Sequence, residues 1–203
     1  MGDLLTFALT VFMGFFAIMN PIANTPIFLG LTEGESEESK KKVAKTASIV
    51  AFIIVVGFII AGKYIFELFG ITIPAFKITG GILIFYVGFE MLMSQKSKIN
   101  NSTSKVKNNV AISPLAIPIL AGPGTIVTAM NNVTNANFIH IGIVISIFAL
   151  MIYLTYLAFI LSDLIVKKVG DNLISVIGKL MGLILAIIGT GMLTEGIKLT
   201  FNL

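Results

Sequence analysis

The 203-residue chain contains no cysteine and no tryptophan, and His140 is its single histidine. Without cysteine there is no disulfide framework, thiol nucleophile or zinc-thiolate site, and one histidine cannot supply a metal cluster. Charged residues are also scarce, at 12% of the chain. Because no span carries paired carboxylates or a histidine cluster, the sequence predicts neither an enzyme nor a bound metal or organic cofactor.

Hydrophobic residues dominate the composition, at 56% of the chain with a mean hydropathy of +0.99. One soluble domain of this size cannot hide so much apolar surface, which indicates an all-α integral protein of the lipid bilayer. About 20 apolar residues cross the hydrocarbon core as a helix. Six stretches qualify: 4–31, 43–60, 75–93, 110–130, 138–166 and 173–197. The first stretch lacks an N-terminal lysine and continues through a proline motif, so it does not resemble a cleavable leader.

The basic residues are distributed unevenly between the two sides of these stretches. Eleven of the 14 follow the first, third or fifth stretch. Cytoplasmic loops collect positive charge, so the asymmetry predicts a multi-pass protein of the plasma membrane with both termini extracytoplasmic. The net charge of +4 does not indicate nucleic acid as a partner, because these lysines lie in loops and do not alternate with aromatic residues.

A polar stretch, residues 94–109, divides the chain into two halves, 1–93 and 110–203, with three apolar stretches each. Its Ser, Asn and Lys content predicts a flexible cytoplasmic linker. The halves resemble each other, since Gly81 and Gly88 of the third stretch align with Gly182 and Gly189 of the sixth. A duplicated unit with three spans must insert upside down the second time. The chain is therefore predicted to form one membrane domain from two inverted three-helix repeats.

Each half begins with an apolar stretch that two prolines interrupt, Pro21 and Pro26 in the first and Pro118 and Pro123 in the second. Proline removes a helical backbone donor and clashes with the preceding turn, so the pairs predict breaks in transmembrane helices 1 and 4. Freed backbone groups are tolerated in a membrane only when they are buried in protein or line a wet cavity. Paired breaks in corresponding positions indicate a central binding site. Kinks that serve only helix packing are the alternative.

Small and polar residues flank both breaks and are the candidate substrate-binding residues: Asn20, Asn24, Thr25, Gly122, Gly124, Thr125 and Thr128. Thr25 before Pro26 is typical of a helix N-cap followed by proline, and Gly122 before Pro123 permits the same arrangement. Helix N-termini present amides and a positive dipole end, so each break is expected to favour an anionic group such as a carboxylate.

Proton coupling commonly uses a carboxylate buried within the spans, and Glu90 is the nearest candidate. It lies three residues before the end of the third stretch, so an interfacial glutamate is the alternative. A cation held by exposed carbonyls, or the substrate gradient alone, would also drive transport.

Residues 20–29, NPIANTPIFL, and residues 114–126, PLAIPILAGPGTI, resemble the two signatures of the MarC family. The resemblance extends over essentially the whole chain, since length, six spans and both motifs agree. It implies transport of small neutral amino acids such as alanine and glycine, as in the related SnatA proteins, rather than drug export. One departure is Ala23, where the family pattern usually has Gly. The added methyl group would narrow the pocket or restrict the backbone.

The sequence thus predicts a carrier for small neutral amino acids, in which two inverted halves rock around a shared site to alternate access. A passive channel for small neutral solutes is the first alternative, because paired half-helices with Asn-Pro motifs also suit a pore. A structural membrane subunit is the second. No residue pattern decides whether the chain forms a homo-oligomer, which ion couples to transport or in which direction the substrate moves.

Overall fold

The computed structural model describes residues 2–93, 111–133 and 136–201, and within these ranges the chain is helical and has no β-strand. The predicted linker, residues 94–109, lies outside the described residues. The described elements, in chain order, are α1 (Gly2–Met19), α2 (Thr25–Leu31), α3 (Glu37–Phe69), α4 (Ile73–Met93), a π-helix (Ala111–Leu120), α5 (Pro123–Val133), α6 (Phe138–Ile160), α7 (Ser162–Val169) and α8 (Asp171–Phe201).

Four described helices are long and apolar enough to cross a membrane: α3 over Glu37–Gly62, α4 over Ile73–Met93, α6 over Phe138–Ile160 and α8 over Asn172–Phe201. A further apolar segment, Leu4–Met19 in α1, is shorter. The first predicted span is divided into α1 and α2, and the fourth into the π-helix and α5. The fifth predicted span is also shorter than expected, because α6 ends at Ile160 and α7 begins at Ser162.

Capping residues extend α3 well beyond the apolar stretch that predicts it. Ser36 is the N-cap, and its Oγ accepts a hydrogen bond from the Ser39 N–H at 3.2 Å. Glu37 and Glu38 lie in the first turn, where negative charge favours the helix dipole. At the other end Gly70 adopts a φ of 62° and donates its N–H to carbonyls of the last turn, a left-handed geometry that glycine allows. Hydrophobicity alone therefore locates only the middle of α3.

Two clusters of buried apolar side chains hold the helices together. The larger lies between α1, α3, α6 and the π-helix, where the rings of Phe15 and Phe148 have centroids 5.1 Å apart. The smaller joins α1, α4, α5 and α8, through Ala17, Ile84, Val127, Leu185 and Met192. Both α1 and α5 contribute to each cluster. The helices that adjoin the two proline segments therefore lie where the clusters meet.

Glycines allow the backbones of α4 and α8 to come into contact where the two helices cross. A methyl group at Gly81 would come within 2.7 Å of the Gly189 carbonyl oxygen, and one at Gly88 within 2.5 Å of the Gly182 carbonyl oxygen. Because the earlier glycine of α4 meets the later one of α8, the two helices run antiparallel. Lys77 of α4 also forms an ion pair with Glu195 of α8. Small residues permit such close packing of membrane helices.

Candidate functional site

The first proline segment is a compact turn between α1 and α2. Residues 20–24 lie between the end of α1 at Met19 and the start of α2 at Thr25. Asn20 has a φ of 35°, and no other non-glycine residue in the described ranges has a positive φ. Asparagine tolerates this conformation better than most residues. The Asn20 Oδ1 accepts a hydrogen bond from the Ala23 N–H at 3.2 Å, so both its backbone and its side chain shape the turn.

Two candidate side chains donate to carbonyls at the end of α1 and within the turn that follows it. Asn24 donates from Nδ2 to the Met19 carbonyl at 2.7 Å. Thr25 donates from Oγ1 to the Ile22 carbonyl, also at 2.7 Å. The last carbonyls of a helix have no intrahelical donor, and an unpaired carbonyl in an apolar environment is costly. Asn24 and Thr25 therefore stabilise the turn in this conformation.

Thr25 is not the N-cap of α2, contrary to the sequence prediction. Asn24 precedes the helix with helical backbone angles, φ −84° and ψ −8°, and makes no side-chain capping bond. The Thr25 N–H itself donates to the Ile22 carbonyl at 3.2 Å. Because α2 has only 7 residues and the preceding turn already uses an amide, this break offers fewer free amides than expected.

The second proline segment joins the π-helix to the start of α5. The π-helix contains Pro118, and a bond of 2.8 Å from the Ala121 N–H to the Ala116 carbonyl follows its last turn. Short π-helical segments are rare and frequently mark functional sites. Helix α5 begins at Pro123, directly after Gly122. Gly124 and Thr125 then lie in its first turn, where backbone amides have no intrahelical acceptor.

Packing brings the start of α5 beside the end of α1. A methyl group at Gly124 would come within 2.5 Å of Ile18 Cδ1, and Ile18 lies two residues before Asn20. One turn along α5, Thr128 Cγ2 would lie 3.5 Å from a methyl group at Gly14. Gly122 and Gly124 are buried, and so are Thr125, at 1% exposure, and Thr128, at 8%. The end of α1 and the start of α5, which adjoin the two proline segments, are therefore neighbours in the protein interior.

The Asn20 side chain carries a buried donor without a partner. Its Nδ2 makes no hydrogen bond in the described part of the chain, and the residue is 1% exposed. Such an atom costs about 1–3 kcal/mol when it stays unpaired. Asn131 Oδ1 of α5 is a buried acceptor in the same condition. Asn131 is not among the candidates predicted from sequence, although two adjacent asparagines at the end of an apolar helix are a usable signal.

Contacts that were not predicted from the sequence join α2 and α3 to α6 and α7. The rings of Phe28 and Phe159 stack with their centroids 4.6 Å apart and their planes 5° from parallel. Lys40 Nζ lies 3.6 Å from Asp163 Oδ2 and 2.9 Å from Glu37 Oε1. All five side chains line one small cavity. The pairs Phe28–Phe159 and Lys40–Asp163 connect residues more than a hundred positions apart, so no local sequence pattern predicts them.

Glu90, the candidate coupling residue, does not join the buried part of this arrangement. It lies on the exposed surface of α4, one turn before the helix ends at Met93. The buried residues of α4 are Gly80, Gly81, Ile84 and Gly88. This position is the one expected of an interfacial glutamate.

Comparison with known proteins relates almost the whole chain to one family. Residues 5–201 match the family model described as MarC family integral membrane protein. The UPF0056 membrane protein YvbG of Bacillus subtilis is 40% identical over 200 residues, which cover 95% of each chain. A UPF0056 membrane protein of Buchnera aphidicola subsp. Schizaphis graminum is 37% identical over 97% of this chain and 96% of its own. A UPF0056 membrane protein of Pyrococcus abyssi is 36% identical over 98% of this chain and 97% of its own. No solved structure matches the chain.

Proposed function

The chain belongs to the MarC family of integral membrane proteins, and from this premise we propose that it transports small neutral amino acids by alternating access. Alanine and glycine are the first candidate substrates. The observation that carries the proposal is the contact between the end of α1 and the start of α5, where Gly124 packs on Ile18, two residues before Asn20 with its buried, unpartnered amide. Interrupted helices that meet in the interior are the usual site of substrate binding in transporters.

The proposal treats the chain as six spans in two inverted repeats. In this reading α1 with α2 forms the first span, and the π-helix with α5 forms the fourth. The antiparallel crossing of α4 and α8 supports it. If the two halves are exchanged, Gly81 takes the place of Gly182 and Gly189 takes the place of Gly88. The contact between Gly81 and Gly189 then corresponds to the contact between Gly182 and Gly88, which is also present. Such reciprocity is expected of helices related by a two-fold axis in the membrane plane.

In the proposed site the substrate carboxylate accepts hydrogen bonds from the first-turn amides of α5, at Gly124 and Thr125, and from Asn20 Nδ2. The dipole of α5 adds favourable charge at the same point. Gly122 permits close approach of the backbone, and Thr128 limits the space one turn away. Asn24 and Thr25 act indirectly by holding the turn that presents Asn20. A substrate with a short side chain is proposed because Asn20, Gly124, Thr125 and Thr128 are all buried.

Counterflow in proteoliposomes tests this function directly. Vesicles loaded with unlabelled alanine or glycine should accumulate the labelled amino acid transiently, with saturable kinetics, because a carrier exchanges substrate across the membrane. Empty liposomes and the same protein inactivated by heat are the controls. Absence of saturable exchange for a panel of neutral amino acids would overturn the proposal. Flux that grows linearly with concentration and shows no counterflow would instead favour a passive channel.

Counterflow is expected with either of two modes of ion coupling. A proton carried by Glu90 and a cation held by carbonyls at the breaks are both compatible with counterflow, since exchange does not need an imposed ion gradient.

A further inference from the structure

A groove of about 450 Å³ runs along the outer surface between α3 and α6, apart from the proline segments. The two helices are antiparallel, because Lys40 at the start of α3 reaches Asp163 just beyond α6. Further along, the rings of Phe52 and Phe148 stack with centroids 6.0 Å apart. The groove occupies the interval between these two contacts.

One end of the groove is polar and the other is apolar. The polar end combines Lys45 and Ser48 of α3 with Tyr153 and Tyr156 of α6. The apolar end lies deeper along both helices, at Ile49, Phe52, Ala149 and Ile152. Tyr153 is 56% exposed and Ile49 is 49% exposed, so the groove opens outward, toward the surroundings of the helices. An amphipathic molecule would match this gradient along its length.

Ser48 gives the polar end an unused hydrogen-bonding group. The residue is 5% exposed, and its Oγ has no partner among the described residues. In a helix, serine commonly satisfies its hydroxyl on the carbonyl four residues earlier, as Thr155 does on Met151 in α6 at 2.8 Å. Ser48 lines the groove, but its Oγ is buried in this conformation, so a rotation about the Cα–Cβ bond is needed before the hydroxyl reaches an acceptor on a bound molecule.

The charge at this end is uncompensated. The groove lining includes Lys45 and no carboxylate, and Lys41 and Lys42 are exposed one turn earlier on the same helix. Lys40, in contrast, is already paired with Glu37 and Asp163. A lysine with a long apolar stem beside the membrane surface suits a phosphate headgroup, and clustered lysines at a cytoplasmic helix end favour anionic lipids.

We propose that the groove between α3 and α6 binds one anionic phospholipid, whose phosphate contacts Lys45 and Ser48 and whose acyl chain lies over Ile49, Ala149 and Ile152. The two tyrosines flank the headgroup at the level where aromatic side chains favour the membrane interface. This site is independent of the transported substrate. A failure here would leave the proposed transport function untouched, and the reverse also holds.

Native mass spectrometry of the purified protein, released from bilayers that contain equal phosphatidylglycerol and phosphatidylcholine, tests the proposal. The wild type should retain one phosphatidylglycerol in preference to phosphatidylcholine. Lys45→Gln should lower that preference about fivefold, as expected for one lysine near an anionic lipid. Ser48→Ala should also lower the preference for phosphatidylglycerol. Lys168→Gln removes the same charge from an exposed position of α7 and serves as the matched control, with no change in preference.

A second variant separates the groove from general surface charge. Ala149→Phe fills the apolar end and keeps Lys45, so it should reduce retention of both lipids. If Ala149→Phe retained both lipids as well as the wild type does, the acyl chain would not lie in the groove and the proposal would be overturned. Equal retention of the two lipids by the wild type, or an unchanged preference in Lys45→Gln, would overturn the phosphate contact. A dimer that Ala149→Phe abolishes would show that a second copy of the chain covers the groove, and would also overturn the proposal.

Discussion

At the scale of single residues, Asn20 connects the local backbone to the proposed site. Its φ of 35° requires a residue that tolerates the left-handed region, its Oδ1 holds the Ala23 amide at 3.2 Å, and its Nδ2 stays unpaired. Asn20→Gly keeps the backbone conformation at no steric cost but removes the side chain. We expect transport to fall at least tenfold while the protein still folds, measured as the initial counterflow rate together with thermal unfolding in detergent.

Asn20→Ala is the matched variant for the same residue. It also removes both side-chain groups, but its methyl group makes the left-handed conformation unfavourable by about 1–2 kcal/mol. Loss of the bond to Ala23 adds about 1 kcal/mol. The alanine variant should therefore unfold at a lower temperature than the glycine variant, although both lose transport. Normal transport in Asn20→Gly would exclude a substrate contact for this side chain.

At the scale of helices, the crossing of α4 and α8 depends on the absence of side chains. A methyl group at Gly81 would meet the Leu193 N at 2.6 Å and the Gly189 carbonyl oxygen at 2.7 Å. Because these are backbone atoms, the helices must separate to accept it. We expect Gly81→Ala to destabilise the protein by about 1–3 kcal/mol, the usual cost of overpacking, in thermal or denaturant unfolding.

Gly191 provides the control on α8 itself. Nothing lies within 4 Å of a methyl group at this position, and alanine favours a helix more than glycine does. Gly191→Ala should therefore leave stability unchanged or raise it slightly. If both alanine variants had the same effect, close packing of α4 on α8 would not explain the glycines.

The elements also show what sequence reasoning predicts and what it misses. Pro26 lies in the first turn of α2 and Pro123 is the first residue of α5, positions where a helix needs no backbone donor. That these prolines break membrane-spanning helices stays a prediction. The N-cap at Thr25 was wrong because the Asn20 side chain and the Thr25 amide wind the turn more tightly than proline alone requires. The π-helix was not foreseen, since its hydrogen-bond register leaves no periodic signal in ten residues. Pairs such as Phe28 and Phe159 arise only from packing.

At the scale of the whole molecule, two ion pairs mark the two ends of the helices. Lys40 and Asp163 join the start of α3 to α7, while Lys77 and Glu195 join the first turns of α4 to the last turns of α8. The first end also carries the exposed Lys41, Lys42, Lys167 and Lys168. Positive charge concentrates on the cytoplasmic side, so this end of the molecule is predicted to be cytoplasmic, which is the orientation that the lysines predict from sequence.

The absence of cysteine makes this orientation directly measurable. Glu35→Cys places a thiol in the exposed loop before α3, and Phe201→Cys places one at the end of α8, where the side chain is 69% exposed. In intact cells a membrane-impermeant maleimide should label the second variant at once, and the first only after the membrane is permeabilised. The cysteine-free parent should stay unlabelled in both conditions.

The opposite labelling pattern would invert the topology, and would move the groove at Lys45 to the outer leaflet. Labelling of both variants in intact cells would put the two ends on one side. That is not possible if α3 crosses the membrane, because α4 begins just after α3 ends and runs antiparallel to α8.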